Sequence, residues 1–246
     1  MSNYICADLK RILFRLPRVI MTLLIYAIML CVAAFTYYTG WSSINFVNNI
    51  QMYILMLPIM LGLVELIAVY SDDFRAKTMQ VAIGLGISRA KVVCCKLIEV
   101  ILLAAIDIAV LAVLILGTAV FLEAGLSVAQ NRELLLALLM AGVIIVGYIS
   151  LTMIVMFYNQ GTGLGRIVYL ALACGGVSSL IQLTALIDFL APLRLDSLIL
   201  THFLDVGRAR LLIGIFDVKC FIGILLYIVA STGVTIFLFR KRELEF

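Results

Sequence analysis

Charged side chains are scarce in this chain. Asp, Glu, Lys and Arg make up 13% of its 246 residues, about half their share in an average soluble domain. Hydrophobic residues make up 65%. A water-soluble fold of this length could not hide so much apolar surface, so the composition points to a single membrane domain over 1–246. The few charges never gather into a long run of one sign, so no nucleic-acid partner is expected. Histidine is almost missing: His202 stands alone, without HExxH or GxSxG, which leaves zinc-protease and serine–histidine hydrolase chemistry unsupported. GxxxxGK[ST] is absent too, so the chain is not expected to bind ATP through a P-loop or to be an enzyme itself. The cysteines, Cys6, Cys31, Cys94, Cys95, Cys174 and Cys220, have no CxxC or Cys/His spacing, and no metal or cofactor is expected. Several fall in apolar runs, where cysteine acts as a small hydrophobe. The adjacent Cys94 and Cys95 are too close for an ordinary disulfide and are expected to be reduced.

What is present is length in the apolar blocks. A spanning helix needs about 20 mainly apolar residues, and six runs qualify: roughly 19–39, 50–70, 97–122, 134–158, 167–190 and 221–239. With both termini inside, the inner side holds thirteen Lys and Arg and the outer side five. The positive-inside rule therefore predicts cytoplasmic termini. Ahead of the first run, Ile5, Leu9, Ile12, Leu13 and Leu16 recur at helical spacing opposite Asp8, Lys10, Arg11 and Arg15. This predicts a helix lying in the inner headgroup layer over 1–17, with Pro17 where the chain turns into the membrane. No cleavable signal peptide is evident.

Four acids lie in or beside the apolar runs: Glu65, Glu99, Asp107 and Asp188. Intramembrane carboxyls are costly and by default suggest function. Glu99 and Asp188 are near span ends, within reach of water or headgroups, and Glu99 has Lys96 one turn away. Asp107 is the deepest, and Glu65 lies one and a half turns in. Both are candidates for a polar path or a subunit contact; for Asp107 a plain hydrogen bond to a neighbouring helix is an equal alternative. The glycines at 161, 163 and 165 follow a spanning helix and not a strand, which suits an inner turn better than a phosphate cradle.

Tyr70 to Lys96 is too polar to span and lies on the inner side. Ser71 or Asp72 as cap, acids first and Arg75 and Lys77 after them predict a helix from Asp72 to about Ile83. Gly84 and Gly86 would end it, and Ser88 would cap the next helix. Arg75, Thr78 and Met79 would share its outward side.

These residues resemble the permeases of the ABC type-2 exporter class. Asp73, Thr78, Met79, Ser88, Arg89 and Lys96 stand where that family has its coupling helix, its Ser-Arg pair and the Lys leading into span three. Ala76 and Lys77 replace the family's usual Gly before the Thr. The basic ending after span six and the amphipathic start are also similar. The resemblance implies an all-α membrane protein with six transmembrane helices. It further implies an N-terminal interfacial helix, a cytoplasmic coupling helix over 71–91 between spans two and three, and re-entrant outer helices over 191–218 between spans five and six. Ser197–Phe203 and Leu211–Phe216 would be the re-entrant pieces. Asp72, Asp73, Arg75, Thr78, Met79 and Gln80 would meet the ATPase. It implies a multi-pass protein of the bacterial plasma membrane that pairs with a second permease copy and with two cytoplasmic ATP-binding subunits, which bind ATP and Mg. The cargo would be apolar or amphipathic: a peptide toxin, a bacteriocin or a drug. The competing reading is a stand-alone secondary transporter or channel, against which stand the lack of an evident internal repeat and the scarcity of intramembrane charge.

Overall fold

A computed structural model describes residues 2–39, 42–76, 78–184, 199–215 and 217–241. Among them every regular element is a helix: α1 (Ser2–Leu13), α2 (Leu16–Thr39), α3 (Ser43–Arg75), α4 (Thr78–Gly84), α5 (Arg89–Phe121), α6 (Val128–Asn159), α7 (Gly163–Ala173), α8 (Gly176–Thr184), α9 (Leu200–Leu212) and α10 (Val218–Lys241). Five of them, α2, α3, α5, α6 and α10, are long and apolar enough to cross a membrane.

The helix boundaries follow local chemistry. Pro17 sits in the first turn of α2, where its missing N–H breaks no helical bond. The Ser42 hydroxyl accepts from the Asn45 N–H (3.1 Å) at the start of α3, and Ser88 accepts from the Lys91 N–H (3.4 Å) at the start of α5. At α6, Ser127 and Gln130 form a reciprocal capping box, satisfying two N–H groups that the helix leaves open. α4 closes on Gly86, whose φ of +91° suits glycine alone.

The expected fifth span is not one helix. α7 stops at Ala173, Gly175 takes φ +75°, and α8 starts afresh at Gly176. Neither piece alone reaches spanning length. Asp188 and the start of the expected outer segment, 191–198, lie outside the described residues, as do Lys77 and the ending 242–246. In the rest of the outer segment, two short apolar pieces were expected; the described residues instead form the single helix α9, and Gly214 at φ +82° turns the chain toward α10.

α6 is the hub, packing on α3, α5, α7, α9 and α10. The Ser231 hydroxyl donates to Ser150 across α10 and α6 (3.0 Å). A Cβ on Gly147 of α6 would stand 2.7 Å from Leu200 Cδ2, so α9 begins against the second half of α6. It ends near α6's start, where Arg132 donates to the Leu211 carbonyl (3.0 Å). Glycine also brings α7 onto α3: a Cβ on Gly62 would lie 1.7 Å from the Tyr169 hydroxyl, which donates to the Pro58 carbonyl.

The charged residues sort the bundle into two ends. At one end, Arg15 pairs with Asp72 (2.6 Å), and Arg166 donates to Ser71 (2.8 Å). There too, Arg89 donates to the Phe239 and Arg240 carbonyls (2.7 and 3.2 Å). At the other end, Gln51 donates to Glu133 (2.5 Å), and Arg210 pairs with Asp217.

Candidate functional site

The first charged end holds a clamp centred on Lys96. Its side chain is fully buried, and its ammonium pairs with Asp8 of α1, Asp73 of α3 and Glu99 of its own helix (2.8 Å to Glu99). Arg11 bridges Asp8 and Asp73 (2.5 and 2.7 Å), and the Thr78 hydroxyl donates to Asp73 (2.8 Å). Three elements distant in the chain, α1, the α3–α4 junction and α5, thus meet at one ammonium. Partial burial works against the Arg11 charge, and the Asp73 and Asp8 carboxylates more than offset it, leaving its pKa above the ordinary value. Buried charges are tolerated when paired and hydrogen-bonded in this way. The Lys96–Glu99 pair was expected; water access for Glu99 was not found, since it is fully buried.

The structure corrects the expected helix over 72–83. Ser71 and Asp72 do not cap a new helix: α3 runs on through both to Arg75, and the Ala76 N–H still donates to the Asp72 carbonyl (2.7 Å). The apolar span and its polar extension are one helix because nothing in 70–75 interrupts the backbone ladder. The separate inner helix is only α4, seven residues long. Met79, expected on its outward side, is 3% exposed and joins the core. Thr78 is turned toward Asp73. The large exposed side chains here are Arg75, Val81 and Leu85, with Gln80 half-buried.

The Ser-Arg pair has two separate jobs. Ser88 caps α5, while Arg89 satisfies carbonyls at the end of α10, with the Phe239 ring 5.5 Å away. Such open carbonyls favour a cation. Arg89 therefore ties the start of α5 to the end of α10. The glycine-rich stretch is a turn: Gln160 ends α6 in the left-handed conformation, α7 begins at Gly163, and a Cβ on Gly165 would stand 2.2 Å from Met156 Cγ.

Deeper in the bundle, Asp107 pairs with Arg18 of α2 (2.6 Å) and accepts from the Tyr26 hydroxyl (2.9 Å). Arg18 counts in the sequence as an inner surface cation; it is in fact 6% exposed. Sequence reasoning missed Arg18 and Tyr26 because their partner lies on another helix. The available signal was the arginine beside Pro17, at the very start of an apolar run. Glu65 of α3 is fully buried, and the charges of Asp107 and Arg18 both act on it. The structure thus gathers Glu65 and Asp107, which the sequence singled out separately.

No protein-family model matches the chain, and no curated protein matches it. The fold itself defines the class: an all-α protein of multi-pass membrane type, with five apolar helices of spanning length among the described residues.

Proposed function

We propose that this chain is the membrane subunit of an ATP-driven exporter, a six-span permease of the bacterial plasma membrane. It works as a pair of permeases with two cytoplasmic ATP-binding subunits and moves an apolar or amphipathic cargo outward. The observation that carries this reading is the Lys96 clamp. A force applied to α4 passes through Thr78 and Asp73 into α3, α5 and α1 together. That is the rigid connection an external ATPase needs.

The sixth crossing falls in the region of α7, α8 and α9. Arg166, near the start of α7, bonds to Ser71 at the charged end, and Leu211 of α9 meets Arg132 at the opposite end. α7 and α8 have eleven and nine residues, together about 30 Å of helix, close to a hydrocarbon thickness. Both termini and the α4 segment are then cytoplasmic. An apolar groove of about 540 Å³ between α2 and α3, with Phe35, Met52, Met56 and Met60 in its wall, suits an apolar cargo.

The ATPase contact moves from Met79 to Arg75, Val81 and Leu85. Val81→Asp with Leu85→Asp is expected to abolish co-purification with an ATP-binding subunit from native membranes while leaving the permease folded. A wild-type permease that brings down no ATP-binding subunit would refute the proposal. One observation favours the alternative of a stand-alone, proton-coupled transporter: the buried carboxyls Glu65 and Asp107 around Arg18. Uptake into vesicles driven by a pH gradient without ATP would establish it.

A further inference from the structure

The deep cluster has one partner too few. Arg18 and Asp107 make a built ion pair, and Tyr26 completes it. Glu65 is 0% exposed, and neither of its carboxyl oxygens has a hydrogen-bond partner among the described residues. The Arg18 Nε is also buried without one. The charges of Arg18 and Asp107 act on Glu65, so the buried set holds one guanidinium and two carboxyl groups. With both carboxyls ionised it would carry an excess negative charge away from water, and with both neutral an excess positive one. Either excess is expensive in such a setting. Only one bound proton makes the cluster neutral.

We propose that Glu65, Asp107 and Arg18 form a proton-binding site that holds one proton between two carboxyl groups. In the observed arrangement the proton is on Glu65, and ionised Asp107 holds the guanidinium. In the exchanged arrangement the Glu65 O–H bond has broken, an Asp107 O–H bond has formed, and the guanidinium has turned to the Glu65 carboxylate. Charge and atoms balance, since one proton moves one way and one positive group the other. Among the described residues the further titratable groups around the cluster are phenols: Tyr26 on α2, Tyr53 on α3 and Tyr169 on α7. None of them supplies a second charge. Because Arg18 is on α2, Asp107 on α5 and Glu65 on α3, the exchange changes which helix α2 is tied to. The site would serve a permease driven by ATP as readily as one driven by protons, so it stands apart from the exporter reading.

The test is infrared spectroscopy of the purified chain in lipid vesicles at neutral pH, reading the C=O stretch of protonated carboxyl groups. Glu65→Gln is expected to remove one such band from the wild-type spectrum. Asp107→Asn is expected to remove the same band with the same intensity, because Glu65 then ionises against Arg18. Arg18→Gln is expected to add a second band. A spectrum unchanged by Glu65→Gln, or a Glu65 band that survives Asp107→Asn, overturns the proposal. Dicyclohexylcarbodiimide, an apolar reagent for protonated carboxyls, gives a reading on the unaltered chain. Peptide mapping should find the adduct mainly at Glu65, with a smaller share at Asp107 from the exchanged arrangement; no adduct at either carboxyl would also overturn it.

Discussion

Lys96 shows how far a single residue can be understood from its neighbours in sequence. Its pair with Glu99 is legible, because i and i+3 share a helix face. Its pairs with Asp8 and Asp73 are not, because those carboxylates arrive from other helices. Removing one partner from a buried ion cluster leaves the others uncompensated, at a cost of about 3–5 kcal/mol. Lys96→Met is therefore expected to lower stability by that order in a denaturant titration in detergent. Adding Asp73→Asn should recover part of the loss; no recovery would mean that Lys96 acts through packing alone. Met79 fails in the opposite direction. A methionine beside polar residues reads as an outward anchor, but α3 runs on to Arg75 and the separate helix starts only at Thr78, with Met79 on its buried side. Met79→Ser is accordingly expected to destabilise the protein, by about 2–5 kcal/mol as for other large buried apolar truncations. Wild-type stability with lost ATPase binding would restore the outward assignment.

At the scale of elements, five apolar runs became helices of spanning length because each is long and capped by a serine or flanked by charge. The run over 167–190 is also apolar but contains adjacent glycines at 175 and 176, and backbone freedom there prevails over apolar length. The inner segment was legible in its stop signals, Gly84, Gly86 and Ser88, and not in its start, where helix-start residues lie within a helix already under way. Contact between elements depends on glycine as well. Gly62 leaves room for the Tyr169 hydroxyl against α3. Gly62→Ala is expected to cost about 1–3 kcal/mol, the range for overpacking a tight interior. The cost should fall in a Tyr169→Phe background, which removes the nearest atom. Equal cost in both backgrounds, in a double-mutant cycle on thermal unfolding, would show that α7 does not meet α3 there.

For the whole molecule, charge pairing sorts the described residues into two ends. α1, the end of α10, the α3–α5 connection and the α6–α7 turn belong to one end, and the α5–α6 turn belongs to the other. A cysteine at Val81 in a cysteine-free background should react with an impermeant thiol reagent only after cells are opened, and one at Val128 should react in intact cells. Labelling at Val81 in intact cells would reverse the orientation. What composition could not reveal is the buried pairing of Arg18 with Asp107 and Tyr26, since α2 and α5 must pack before these residues become neighbours. The exporter reading depends most on the energy source, and ATP hydrolysis in a preparation of the chain purified gently from native membranes tests it most directly. The account predicts hydrolysis that co-purifies with a separate ATP-binding subunit, is absent from the chain alone, and is lost from the preparation with Val81→Asp and Leu85→Asp. A preparation that transports cargo across vesicle membranes with no ATPase present would contradict it.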